Sequence, residues 1–248
     1  TGDPYALFLS LFRQNPAPFF AFVQAGDHQI VSTSPERFLL RQGSRVETRP
    51  IKGTIARGNT PEQDRKNREI LSASTKDDAE LTMIVDLMRN DLSRVTVHDS
   101  VRVTEHKRLE PYDNVFHLVS VVQGELLPGK NGVDLLKASF PGGSITGCPK
   151  IRAMEIIDEL EPVKRHVYTG SIGYISFHDT MDLSIAIRTA TIHDHRIYFS
   201  VGGGIVYDSD PEKEFQETLD KGKTVMNTLS QKGRTRKEKS AKAWVNGK

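Results

Sequence analysis

Short strand-like runs closed by glycine turns, interleaved with helical stretches but lacking a regular βαβ rhythm, restrict this chain to the α+β class. Residues 19–23, 29–32, 38–40 and 46–50 are rich in β-formers, with turns at Gly26-Asp27 and Gly43-Ser44. Ahead of them an opening helix has Asp3 and Pro4 as cap and first residue. Its apolar positions Leu7, Phe8, Leu11 and Phe12 lie on one face, and Asn15-Pro16 stops it. Between Pro61 and Leu92 the spacing of Ile70, Leu71, Leu81, Ile84, Val85, Leu87 and Met88 predicts helices with a break near residues 72–75.

Further strands are expected around residues 101–103 and over 116–126, then a short helix over 133–139 and a longer one over 149–160, with Pro162 as its stop. Strands follow at 170–177, 182–191 and 197–201. A last helix starts at Ser209 or Asp210, with Pro211 in its first turn, and directs Phe215, Leu219, Val225 and Leu229 toward the core.

With 248 residues the chain can bury a substantial core, and the simplest division is one domain over 1–230 plus a basic tail over 231–248. The tail carries a net charge of +6, which leaves residues 1–230 at −4 within a total of +2. Its single aromatic, Trp244, provides no stacking series, so a frayed terminus rather than a nucleic-acid arm is expected. The one cysteine, Cys148, lies between Gly147 and Pro149 and reads as a turn residue in a reducing compartment. No apolar run reaches the length of a membrane span and residues 1–4 lack signal-peptide features, so no membrane association and a cytoplasmic location are expected.

Residues 50–54, Pro-Ile-Lys-Gly-Thr, hold Lys52 between a φ-fixing proline and a glycine that permits close approach. Such a lysine is either a solvated charge beside a turn or a positioned nucleophile. Glu214, Glu217 and Lys221 share one face of the last helix, either as a surface ladder or as a carboxylate pair for a hard divalent cation. Glu80 borders the apolar face of its helix, where it either complements the helix dipole or faces a cleft. Gly202-Gly203-Gly204 forms a tight turn or presents backbone amides to an anion. Arg188, flanked by Ile185, Ala186 and Ile187, requires an anionic partner, from the protein or from a substrate carboxylate.

Ser34-Pro35-Glu36, residues 50–54, the run from Asp77 to Asp91, His117-Leu118-Val119-Ser120 and the run from Phe140 to Met154 are followed by residues 168–174, Ile187-Arg188 and residues 202–221. In this order they resemble the chorismate-binding enzymes over nearly all of residues 3–230. Within that family Lys at position 52, where anthranilate synthases typically carry Ala, resembles the aminodeoxychorismate synthase branch.

The resemblance implies a two-layer α/β sandwich, here lacking the N-terminal part that completes it in full-length members. It also implies amination of chorismate to 4-amino-4-deoxychorismate, a precursor of 4-aminobenzoate and folate, with ammonia delivered by a glutamine amidotransferase subunit in a heterodimer. By the same correspondence Glu80, Glu214 and Glu217 hold Mg²⁺. Tyr168 and Arg188 hold the enolpyruvyl carboxylate, and Lys221, Gly203 and Gly204 lie near the metal-bound carboxylate. Gly53, Thr54, His117, Ser144 and Thr146 line the cavity. Glu36 is the general acid for the C4 hydroxyl and Lys52 the nucleophile at C2. Anthranilate synthesis and an inactive chorismate-binding fragment are the alternatives.

Overall fold

The computed structural model describes residues 3–14, 16–207 and 209–245, with side chains described as far as residue 230. In chain order the elements are α1 (Pro4–Gln14), β1 (Phe19–Ala25), β2 (His28–Ser34), β3 (Arg37–Gln42), β4 (Arg45–Arg49), β5 (Ile51–Ala56), α2 (Pro61–Ser72), α3 (Thr75–Ser93), β6 (Arg102–Pro111) and β7 (Val115–Glu125). There follow α4 (Gly132–Ser139), a 3₁₀ turn (Gly143–Ile145), α5 (Lys150–Leu160), β8 (Ser171–Ile175), β9 (Thr180–Ile185), β10 (Thr189–His193), β11 (Arg196–Phe199) and α6 (Pro211–Val245). The mixture of helices and largely antiparallel pairing is the α+β class that the sequence predicts.

Two compact units divide the chain. One comprises residues 17–19 and 34–186 and the other residues 1–16, 20–33 and 187–248. The backbone of α6 is continuous through the stretch that the sequence sets apart as a tail; its side chains from residue 231 onward, and residues 246–248 altogether, lie outside the described residues.

In the larger unit, β7 is the organising strand. β6 pairs along one edge, while β4 and β5 share the other, β4 against residues 122–125 and β5 against 115–119. Pro50 separates these two partners because it has no N–H for the ladder; its carbonyl still accepts from Ser120 N at 3.2 Å. The sheet continues through β3 and β9 to β8. A β-bulge falls between Lys52 and Thr54, where Gly53 adopts φ +77°.

Helix starts in this unit are capped as their sequences require. Thr60 Oγ1 accepts from Gln63 N, Ser74 Oγ accepts from Asp77 N, and Asn131 with Asp134 forms a reciprocal capping box. Leu81, Ile84, Val85, Met88 and Leu92 form the buried stripe of α3, and Phe116, Leu118, Val119, Val121 and Val122 form a nearly continuous buried run along β7. Each such side chain contributes about 1.5–3 kcal/mol by leaving water.

The smaller unit has a four-stranded sheet ordered β1-β2-β10-β11. Leu7, Leu11, Val31, Ile192 and Val225 form its core, with Phe8, Phe20, Phe22, Phe199 and Leu229 packed around them. Of the four apolar residues expected to turn inward on the last helix, Val225 and Leu229 do so, whereas Phe215 and Leu219 are exposed. The single strand expected over 182–191 is two strands. The chain leaves one sheet at Ile185 and enters the other at Thr189, and the connecting Arg188 adopts φ +49°.

Candidate functional site

Because the bulge inserts one residue, Lys52 pairs with Leu118 and Thr54 with the adjacent His117, so side chains two positions apart leave the sheet on opposite faces. A Cβ at Gly53 would meet Asp77 Cγ at 2.9 Å and Leu71 Cδ1 at 3.0 Å, so only glycine permits the approach to α2 and α3. Lys52 is half-buried, and its ammonium makes a long contact of 3.4 Å with the Ser144 carbonyl. On the other face Thr54 Oγ1 lies 2.7 Å from Nδ1 of His117, which is 1% exposed. The Tyr112 ring meets the His117 ring edge-on at 5.3 Å. Burial, reinforced by Glu110, pushes the Tyr112 phenol up to about 12, so it stays protonated and donates to Glu110.

Glu36 sits between β2 and β3 with 5% of its surface exposed; its N–H donates to Ser34 Oγ and its carbonyl accepts from Ile185 N. Glu80 lies on α3 with its side chain largely covered and Oε1 3.8 Å from Lys76 Nζ. Thr146 closes the 3₁₀ turn by donating from Oγ1 to the Gly142 carbonyl at 2.9 Å. Thr146 and Tyr168 both line a cavity of about 400 Å³, whose walls include Phe140, Ile145, Met154 and Arg165. Burial raises the Tyr168 phenol above its ordinary value, with Arg165 pulling in the opposite direction. Arg165 forms a two-pronged pair with Glu161 and donates to the Ile145 carbonyl at 2.9 Å, binding the cavity wall to the turn.

In the smaller unit four of the expected residues come together. A Cβ at Gly203 would lie 3.4 Å from Glu214 Oε2, 3.9 Å from Glu217 Oε1 and 3.9 Å from Lys221 Nζ. Glu214 is 6% exposed and accepts from Ser209 Oγ at 2.7 Å. Lys221 reaches Glu217 at 2.7 Å and the Gly202 carbonyl at 3.2 Å. Gly204 follows in the same irregular segment. Arg188 is half-buried, at the junction of β9 and β10 rather than inside a strand.

Carboxylates one helical turn apart beside a glycine suit a hard cation such as Mg²⁺, which needs one or two protein carboxylates and keeps several waters. Glu214 and Glu217 meet that requirement. Among the described residues no three His, Cys, Asp or Glu side chains are grouped as a complete metal cage.

The sequence singled out neither Lys150 and Asp91 nor Thr33. The first two form a buried ion pair whose lysine follows Cys148-Pro149, and the third belongs to a run of three buried hydroxyl residues, Ser32-Thr33-Ser34. Consecutive hydroxyls at the end of an apolar strand were the available signal, since buried hydroxyls require hydrogen-bond partners.

Residues 1–227 match the family model described as chorismate binding enzyme. Aminodeoxychorismate synthase component 1 of Salmonella typhimurium is 52% identical over 228 residues, which cover 92% of this chain and 50% of that protein. Anthranilate synthase component 1 of Aquifex aeolicus is 46% identical over 92% of this chain and 46% of its own length. The crystal structure of anthranilate synthase component I from Streptococcus pneumoniae superposes with a TM-score of 0.83 at 43% identity, covering 91% of this chain and 50% of that one. The chain thus spans about half the length of these relatives.

Proposed function

The chain belongs to the chorismate-binding enzymes, and from that premise we propose that it is the catalytic part of an aminodeoxychorismate synthase. The observation that carries this reading is Lys52, set at a glycine bulge, half-buried and facing the Ser144 carbonyl. Identity of 52% to an aminodeoxychorismate synthase component 1, against 46% to an anthranilate synthase component 1, supports the same branch.

In the proposed reaction the Glu36 carboxyl donates its proton to the C4 hydroxyl of chorismate, which leaves as water. The unprotonated Lys52 amine attacks C2, and the two conjugated ring double bonds shift to C1=C6 and C4=C5 as the C4–O bond breaks. Ammonia then forms the C4–N bond, both double bonds shift back and the C2–N bond to Lys52 breaks, which frees the amine, and the new ammonium returns a proton to Glu36. Arg188 and Tyr168 are assigned to the enolpyruvyl carboxylate and Thr146 to the remaining cavity, while Thr54 and His117, on the opposite face of the sheet from Lys52, brace that strand. Within the smaller unit Glu214 and Glu217 would hold Mg²⁺, with Gly203 and Lys221 beside them. When bound, the metal neutralises a substrate carboxylate. The relatives' name, component 1, accords with a second subunit, which we take to be a glutamine amidotransferase.

The test supplies chorismate, Mg²⁺ and ammonium and separates the products. Formation of 4-amino-4-deoxychorismate is expected, with a mass adduct on Lys52 trapped during turnover. Anthranilate would favour the second reading, which the 46% identity to anthranilate synthase supports. Saturable chorismate binding without turnover would make the chain a binding fragment.

A further inference from the structure

We infer that Thr33 is a positioning residue that fixes the backbone of Arg188, and thereby the direction from which its guanidinium meets a substrate carboxylate. This inference rests on the chorismate reading above. The backbone of Arg188 is left-handed, at φ +49°, a region that sterics disfavour for a side chain with a Cβ. A glycine would adopt it freely, so the fold alone does not call for arginine here.

The two peptide planes that flank Arg188 determine its φ and ψ, and both are held. On the near side Thr189 Oγ1 donates to the Ile187 carbonyl at 2.9 Å. With its proton committed there, Thr189 Oγ1 accepts from Ser32 Oγ at 2.8 Å. On the far side the Arg188 carbonyl accepts twice from Thr33, from N at 3.1 Å and from Oγ1 at 3.0 Å. Ser32 is 0%, Thr33 7% and Thr189 3% exposed, so water does not compete for these bonds. Position 188 directly follows the β2–β10 ladder, whose last register pair is Ser32 with Thr189. Sparsely populated backbone that its surroundings hold by several bonds is characteristic of binding and catalytic positions.

The test compares Thr33→Val, which keeps the N–H and the shape but loses the hydroxyl, with Thr33→Ser, which keeps both donors, in the full chain with ammonium as nitrogen source. Thr33→Val is expected to raise KM for chorismate about tenfold with kcat within about twofold, because carboxylate binding is shared by ground and transition states. Thr33→Ser should stay near wild type. A KM for Thr33→Val within about twofold of wild type overturns the inference, whatever happens to Tm. Should Thr33→Val fail to fold, Ser32→Ala takes its place, with a rise of about threefold expected and an unchanged KM counting against the proposal. A wild-type chain that neither binds nor turns over chorismate defeats the functional reading instead. The positioning role is then decided by a crystal structure of Thr33→Val, where a left-handed residue 188 overturns it and a relaxed one supports it.

Discussion

The Lys150 ammonium, at the start of α5, lies 2.5 Å from a carboxylate oxygen of Asp91, close to the end of α3. The same nitrogen donates to the carbonyls of Ser139 at 2.9 Å and Pro141 at 2.8 Å. Arg94 donates to the neighbouring Ala138 carbonyl, Lys52 to that of Ser144 and Arg165 to that of Ile145. Cations from separate elements thus converge on the carbonyls of residues 138–145, the segment that faces Lys52. A loop whose carbonyls cannot all join a helix or sheet has its acceptors satisfied in this way.

Removing one partner of the Lys150–Asp91 pair should be far worse than removing both. Asp91→Ala leaves an ammonium buried against neutral carbonyls and is expected to cost about 3–5 kcal/mol in urea unfolding. The double variant Asp91→Leu, Lys150→Met should cost clearly less. A double-variant loss equal to the sum of the Asp91→Leu and Lys150→Met single losses would show that the pair has no mutual dependence.

The same pair should leave a mark on the pH dependence of stability. Burial holds the Asp91 carboxyl above its ordinary 3.8, and Lys150 offsets this only in part. Above 3.8 the folded chain therefore keeps a proton that the unfolded chain has released. The Asp91 contribution is present in full below 3.8 and declines as pH rises through the raised value. Melts of wild type and Asp91→Asn across this range should converge or diverge with that sign, the wild type losing ground as pH rises. A difference in Tm that does not vary with pH would refute it.

Gly53→Ala joins two penalties at one position. Left-handed backbone costs a residue with a Cβ about 1–2 kcal/mol. The new methyl would also sit 2.9 Å from Asp77 Cγ and 3.0 Å from Leu71 Cδ1, which forces α2 or α3 to shift. A fall in Tm is expected together with a loss of turnover, because the bulge sets the face from which Lys52 leaves the strand. An unchanged Tm would mean that the bulge tolerates a side chain.

Much of this architecture was legible in local chemistry. The break between α2 and α3 at residues 72–75 follows from Ser74, which caps the second helix, and the start of α6 follows from Pro211. Grouping of Glu214, Glu217 and Lys221 followed from helical spacing, since positions three and four apart share a face. What escaped was whatever depends on contacts distant in sequence. Residues 182–191 look like one apolar strand, but the chain changes sheets between Ile185 and Thr189, where Thr33, 155 positions away, bonds the Arg188 carbonyl. The bulge was equally hidden, because an insertion in a ladder exists only relative to the partner strand. Lys150 carried no pattern at all, its three acceptors being set by how the loop folds.

Glu36→Gln separates proton donation from shape. The amide is nearly isosteric and keeps the N–H bond to Ser34 Oγ, so the backbone between β2 and β3 should hold. Loss of a general acid lowers turnover by about 10²–10⁴-fold. We expect that loss in kcat with chorismate affinity preserved, and slower formation of the Lys52 adduct. A variant that forms adduct at the wild-type rate would remove Glu36 from the acid role and leave it as a buried structural carboxylate.

Gly203→Ala tests the proposed cation site without removing either carboxylate. The added methyl would lie 3.4 Å from Glu214 Oε2 and 3.9 Å from both Glu217 Oε1 and Lys221 Nζ, ordinary contact distances that the fold can accept. It would nevertheless occupy part of the space between the carboxylates, where a hydrated Mg²⁺ needs room for its waters. The Tm measured without metal should stay close to wild type, while the Mg²⁺ concentration for half-maximal activity should rise about tenfold, a loss of about 1.4 kcal/mol in binding. Equal Mg²⁺ requirements in the two proteins would move the metal away from Gly203 and leave Glu217 and Lys221 as a surface ion pair.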